Sequence, residues 1–125
     1  MVDVIHTALW VADMDRSLRF YADGLGLART REFVVREDEE NVFLAGEGET
    51  ELQLKYAPGH DVTASRAGFD HFAVEVADTD SMADRLADHG GEVVRGPLDS
   101  EAARARIAFV ADPDGYLVEL IEPWA

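Results

Sequence analysis

The chain has 125 residues, 47% of them hydrophobic and 30% charged, which supplies a core and argues against disorder. Lys and Arg number 11 against 26 Asp and Glu, and the formal charge of −15 repels nucleic acid and anionic membrane surfaces alike. There is no Cys, no basic region leading into an apolar stretch at the N-terminus, and no run near the roughly 20 apolar residues of a bilayer span.

These features predict a soluble, cytoplasmic domain with no nucleic-acid or membrane partner. Lys55 is the only lysine, and the other ten basic residues are Arg. Such acidity suits a halophilic setting, because the Debye length falls to about 3 Å at 1 M salt and self-repulsion is screened. The melting temperature is expected to rise between low and molar salt; a flat response would refute that expectation.

In chain order, residues 4–11 form an apolar, partly β-branched run that predicts a strand. Asp13 follows at a helix N-cap position, with Asp15 in the first turn; Leu18, Tyr21, Ala22 and Leu25 recur at helical spacing before Gly24 and Gly26. Strands are expected at 28–36, 41–45 and 50–56. The order then repeats: a strand at 69–76, a helix capped by Asp78 with Met82, Leu86 and His89 as its stripe and Gly90-Gly91 as its stop, and strands at 92–98, 106–111 and 116–121. Asp112-Pro113-Asp114-Gly115 is the turn before the last strand.

The two halves are related in sequence. At an offset of 65, His6 falls on His71, Ala8 on Ala73, Val11-Ala12-Asp13 on Val76-Ala77-Asp78, Asp15 on Asp80 and Gly26 on Gly91. The predicted architecture is α+β: a first βαβββ module at 1–57, a linker at 58–68 and a second module at 69–125, paired because one such module buries too little alone.

Strand alternation sorts the side chains into faces. Thr7, Leu9 and Val11 oppose His6, Ala8 and Trp10; Leu52, Leu54 and Tyr56 oppose Glu51, Gln53 and Lys55. Phe72, Val74 and Val76 oppose His71, Ala73 and Glu75; Val118 and Leu120 oppose Leu117, Glu119 and Ile121. The aliphatic faces are expected to pack under the helices, and the opposite faces to line a metal-holding cup. Each cup face carries one candidate ligand: His6, Gln53, His71 and Glu119. The repeat relates His6 to His71 and Gln53 to Glu119. Two imidazoles and two side-chain oxygens suit Ni, Co, Mn, Fe or Zn better than Mg or Ca. Glu119 lies among aliphatic neighbours, where a carboxylate has to be paired or solvated. His60 and His89 are read as structural, and Trp10 and Phe43 as aromatic walls or core.

The chain resembles the vicinal-oxygen-chelate superfamily, which includes glyoxalase I, methylmalonyl-CoA epimerase, bleomycin-resistance proteins and extradiol dioxygenases. The resemblance is carried by His6-Thr7-Ala8-Leu9, Ser17-Leu18-Arg19-Phe20-Tyr21, Leu25-Gly26-Leu27 and Asp70-His71-Phe72-Ala73-Val74. The closing Asp112-Pro113-Asp114-Gly115-Tyr116-Leu117-Val118-Glu119-Leu120-Ile121 is its most specific stretch. It implies a glyoxalase-like fold, a homodimer, and one divalent metal on His6, Gln53, His71 and Glu119. The implied activity nearest to the pattern is a glyoxalase I-like lyase or isomerase (lactoylglutathione lyase). This enzyme shifts a proton next to a carbonyl, through a metal-bound enediolate, to turn the hemithioacetal of a 2-oxoaldehyde and a thiol into a thioester. Glu119 is the expected base, with Glu51 or Glu75 as candidates for a second.

Gln at position 53 is similar to the epimerase set, so a methylmalonyl-CoA-type epimerase is the alternative. An Fe(II) dioxygenase using His6, His71 and Glu119, or a ligand-sequestering resistance protein, comes after it. Glyoxalase I has an Arg four residues after the first ligand and an Asn four after the second, both for glutathione. Here Trp10 and Ala57 stand in those places.

Overall fold

The computed structural model describes residues 1–62 and 68–125. The chain divides into two compact units, Met1–Ser65 and Arg66–Ala125. Part of the expected linker, 63–67, lies outside the described residues. Among the described residues no helix is long and apolar enough to cross a membrane.

The first unit runs β1 (His6–Trp10), α1 (Met14–Leu18), β2 (Ala28–Val35), β3 (Glu39–Ala45) and β4 (Glu51–Tyr56). Its sheet has the order β1-β4-β3-β2, with β1 parallel to β4 and the other pairs antiparallel. The second unit runs β5 (His71–Glu75), α2 (Thr79–Ala87), β6 (Glu92–Ser100), β7 (Ala105–Ala111) and β8 (Leu117–Pro123). Its order, β5-β8-β7-β6, is the same arrangement, again with one parallel pair. Each unit is a βαβββ module, and the fold is α+β.

Alternation places the core as expected. Leu9, Leu52 and Leu54 are buried in the first unit, and Val118 and Leu120 in the second, while their odd-numbered neighbours on β4 and β8 stay partly open. Both helices begin on the anticipated caps: Asp13 accepts from the Arg16 backbone N–H, and Asp78 from that of Ser81, each at 3.0 Å. In α2 the buried residues are Thr79, Ala83 and Leu86, so the stripe is turned slightly from the expected Met82–Leu86–His89 line. Thr79 explains the turn, because its N–H donates to Glu122 Oε1 at 2.8 Å and its hydroxyl to the Arg106 carbonyl at 3.0 Å. These bonds tie the start of the helix down onto β7 and β8.

The first helix departs further from expectation. After one α turn the backbone widens into a π-helical turn over Arg19–Gly24, closed by Leu25 N–H to Phe20 C=O at 2.9 Å. Phe20 and Tyr21, both within this turn, are completely buried. Gly26, at φ +86°, then reverses the chain into β2.

The last turn is built by Asp112. Its Oδ1 accepts from the N–H groups of Asp114 and Tyr116, both at 2.9 Å, and Gly115 N–H closes onto its carbonyl at 2.9 Å. This fixes where β8 begins, and with it which face Glu119 occupies.

Candidate metal centre

In the second unit, His71 and Glu119 meet. Ala73 on β5 is in register with Glu119 on β8, so His71 and Glu119 are diagonal neighbours on one face. Glu119 Oε1 lies 3.1 Å from His71 Nε2, and Asp70 Oδ2 lies 2.6 Å from His71 Nδ1. The Asp70 contact raises the His71 pKa above the ordinary imidazole value; the Glu119 carboxylate adds to the rise and burial opposes it. With Nδ1 committed to Asp70, Nε2 is the nitrogen turned toward Glu119. Phe109, opposite Glu119 in β7, meets the His71 ring edge-to-face, with centroids 5.3 Å apart.

The first unit repeats the geometry. Ala8 on β1 is in register with Gln53 on β4, which places His6 and Gln53 on the same diagonal. Phe43, opposite Gln53 in β3, meets the His6 ring edge-to-face at 5.5 Å. Gln53 Nε2 donates to Asn41 Oδ1 at 2.8 Å. Among the described residues no hydrogen bond engages the Gln53 carbonyl oxygen or the His6 ring nitrogens.

The donors fit a divalent cation in kind: a His with one nitrogen fixed by a carboxylate, a carboxylate beside its other nitrogen, a second imidazole, and an amide oxygen left open. Each unit brings two of them together. Among the described residues no three His, Asp or Glu side chains are grouped closely enough to hold a metal ion.

The remaining expected residues are placed as follows. Glu51, the candidate second base on β4, accepts a short hydrogen bond from the Thr30 hydroxyl at its Oε2. Glu75 is exposed at the end of β5. Trp10 stacks on His60 at 3.8 Å and carries the Lys55 ammonium 4.8 Å from its ring. His89 Nδ1 lies 2.7 Å from the Arg85 carbonyl at the end of α2.

Asp70, Phe109, Asn41 and Glu39 escaped the sequence reading as site residues. Phe109 carried a usable signal, because it follows Phe43 by the same 66 residues that separate Gln53 from Glu119.

Residues 4–120 match the family described as the Glyoxalase/Bleomycin resistance protein/Dioxygenase superfamily, and the chain belongs to it. Within that class it is similar to a probable lactoylglutathione lyase of Synechocystis, 39% identical over 95% of this chain and 94% of the relative. It is also similar to the lactoylglutathione lyase of Haemophilus influenzae, 36% identical over 97% and 93%. Among solved structures, the trypanothione-dependent glyoxalase I of Leishmania major superposes with a TM-score of 0.77 at 32% identity, covering 98% of this chain and 87% of that one. A glyoxalase I mutant of Zea mays gives 0.82 at 30% identity; there the chain covers 98% of itself but only 45% of the maize chain.

Proposed function

We propose that the chain is a metal-dependent glyoxalase I-like lyase. It would convert the hemithioacetal of a 2-oxoaldehyde and a thiol into a 2-hydroxyacyl thioester, as a homodimer, with one divalent cation held by His6, Gln53, His71 and Glu119. The observation that carries this reading is the Asp70–His71–Glu119 contact chain, repeated in donor type by His6 and Gln53. The relatives named lactoylglutathione lyase favour this reaction over epimerisation or dioxygenation. Exposed Phe33 and Val34 on β2, and Val93 and Val94 on β6, are apolar surface that a second copy would cover.

When bound, the cation supplies positive charge beside the carbonyl oxygen, where negative charge grows as the neighbouring C–H loses its proton. Glu119 takes that proton and returns it to the adjacent carbon. Its Oε1 faces His71, which leaves Oε2 for the transfer. Asp70 holds the His71 ring in place, and Phe43 and Phe109 exclude water from one side of each imidazole. Gln53 cannot take a proton, so only one of the two half-sites carries a base.

Recognition of the thiol carrier has to differ from the resemblance. Trp10 is covered by His60, and the position of the expected Asn is held by Ala57. Arg31, whose guanidinium lies 4.4 Å from the centre of the Phe43 ring that meets His6, suits a carrier carboxylate.

Metal analysis of the purified protein tests the reading, together with turnover of methylglyoxal in the presence of glutathione and other thiols. One equivalent of a divalent metal is expected, and a marked drop in His6→Ala and in His71→Ala. Undiminished metal in both variants would dismiss the four-residue centre.

A further inference from the structure

Asn41 is 2% exposed and Glu39 7%, two polar side chains buried on β3 next to the Gln53 amide. Gln53 Nε2 donates to Asn41 Oδ1 at 2.8 Å; Asn41 Nδ2 donates to Glu39 Oε2 at 3.2 Å and to the Glu39 carbonyl at 3.3 Å. A carboxylate accepts and cannot donate, so Glu39 sets the direction of the whole chain. Asn41 has to turn its NH2 toward Glu39, its oxygen then faces Gln53, and Gln53 has to offer its own NH2 in return. The Gln53 oxygen is the end left over. Glu39 is kept ionised: the Asn41 bond holds its carboxyl below the usual carboxylate range against burial, helped by Lys55 Nζ at 3.6 Å and Arg36 Nη1 at 3.3 Å.

We propose that Glu39 and Asn41 are positioning residues that orient the Gln53 amide so that its oxygen is presented as a cation donor. This relay is also why position 53 carries an amide where its counterpart, Glu119, is a carboxylate. The inference rests on the metal-centre reading above. A carboxylate at 53 would face the Asn41 oxygen, and turning Asn41 round would set that oxygen against Glu39. The second unit supplies the control. The β7 positions equivalent to Glu39 and Asn41 are Ala105 and Ile107, with Ile107 opposite Ile121 as Asn41 is opposite Lys55. Among the described residues no such polar pair stands behind Glu119, and there the carboxylate is free to occur.

The test is a double-mutant cycle on the full chain, with Co2+ alone as the probe and binding followed by calorimetry. Glu39→Gln is expected to lower Co2+ affinity about tenfold to a hundredfold in the wild-type background, the usual scale for outer residues that orient a ligand. In the Gln53→Glu background the same change should restore affinity and raise the melting temperature. There the relay can run in reverse, from the new amide at 39 through Asn41 to the new carboxylate at 53. Asn41→Leu should lower affinity in the wild-type background and erase the difference between the two backgrounds. A merely structural role would make Glu39→Gln cost the same in both backgrounds, and that result would overturn the proposal. Wild-type protein that binds no Co2+ would instead overturn the metal reading, and the relay's role with it.

Discussion

Glu119→Gln is expected to lower turnover about 10²–10⁴-fold, the range a positioned general base contributes. The melting temperature should change little. Glutamine has nearly the shape of glutamate, and its carbonyl oxygen can keep the place of Glu119 Oε1, 3.1 Å from His71 Nε2. What the amide lacks is a lone pair basic enough to take a proton from carbon. The loss should therefore fall on kcat and not on folding, as measured by steady-state kinetics beside a thermal melt. Full activity in a folded Glu119→Gln variant would remove this residue from the chemistry. Because Gln53 already occupies the related position, the variant would also leave both half-sites with an amide and neither with a base.

How far the sequence exposes this molecule depends on the range of the interaction. The strands and their faces were legible because alternation is local: Leu52 and Leu54 bury while Gln53 stays open, whatever the rest of the chain does. The pairing of His71 with Glu119 was legible through the repeat, which carries β1 onto β5 and β4 onto β8 with the same parallel register. The π turn at Arg19–Gly24 was not, because the apolar residues at 18, 21, 22 and 25 fit an ordinary helix. Phe20 and Tyr21 are both fully buried there, and nothing in their local spacing marks the wider turn. The Glu39–Asn41–Gln53 chain was hidden for a related reason. It needs the antiparallel register that sets Phe43 opposite Gln53 and Asn41 opposite Lys55, and a slip of one residue would turn Asn41 to the other face. Polar residues at 39 and 41 look like ordinary solvated strand positions until that register buries them.

Leu120→Ala provides the complementary result, one residue further along β8. Leu120 is 0% exposed and in register with Val74 on β5 and Ala108 on β7, so its side chain is enclosed in the core of the second unit. Truncation removes buried methyl groups and leaves a cavity that the fixed β-ladder on both sides cannot close. The expected cost is about 2–5 kcal/mol, a large share of the roughly 5–15 kcal/mol that holds a domain of this size together. Urea denaturation of the variant should show a midpoint far below that of wild type with the slope preserved. Turnover per folded molecule should stay close to wild type, because Leu120 points away from the Glu119 face. Neighbouring substitutions would thus separate cleanly, Glu119→Gln losing catalysis with the fold kept and Leu120→Ala losing stability with the chemistry kept. A Leu120→Ala variant as stable as wild type would mean that the strand is rotated or slipped in solution. In that case Glu119 would no longer face His71, and the assignment of the base would fail with it.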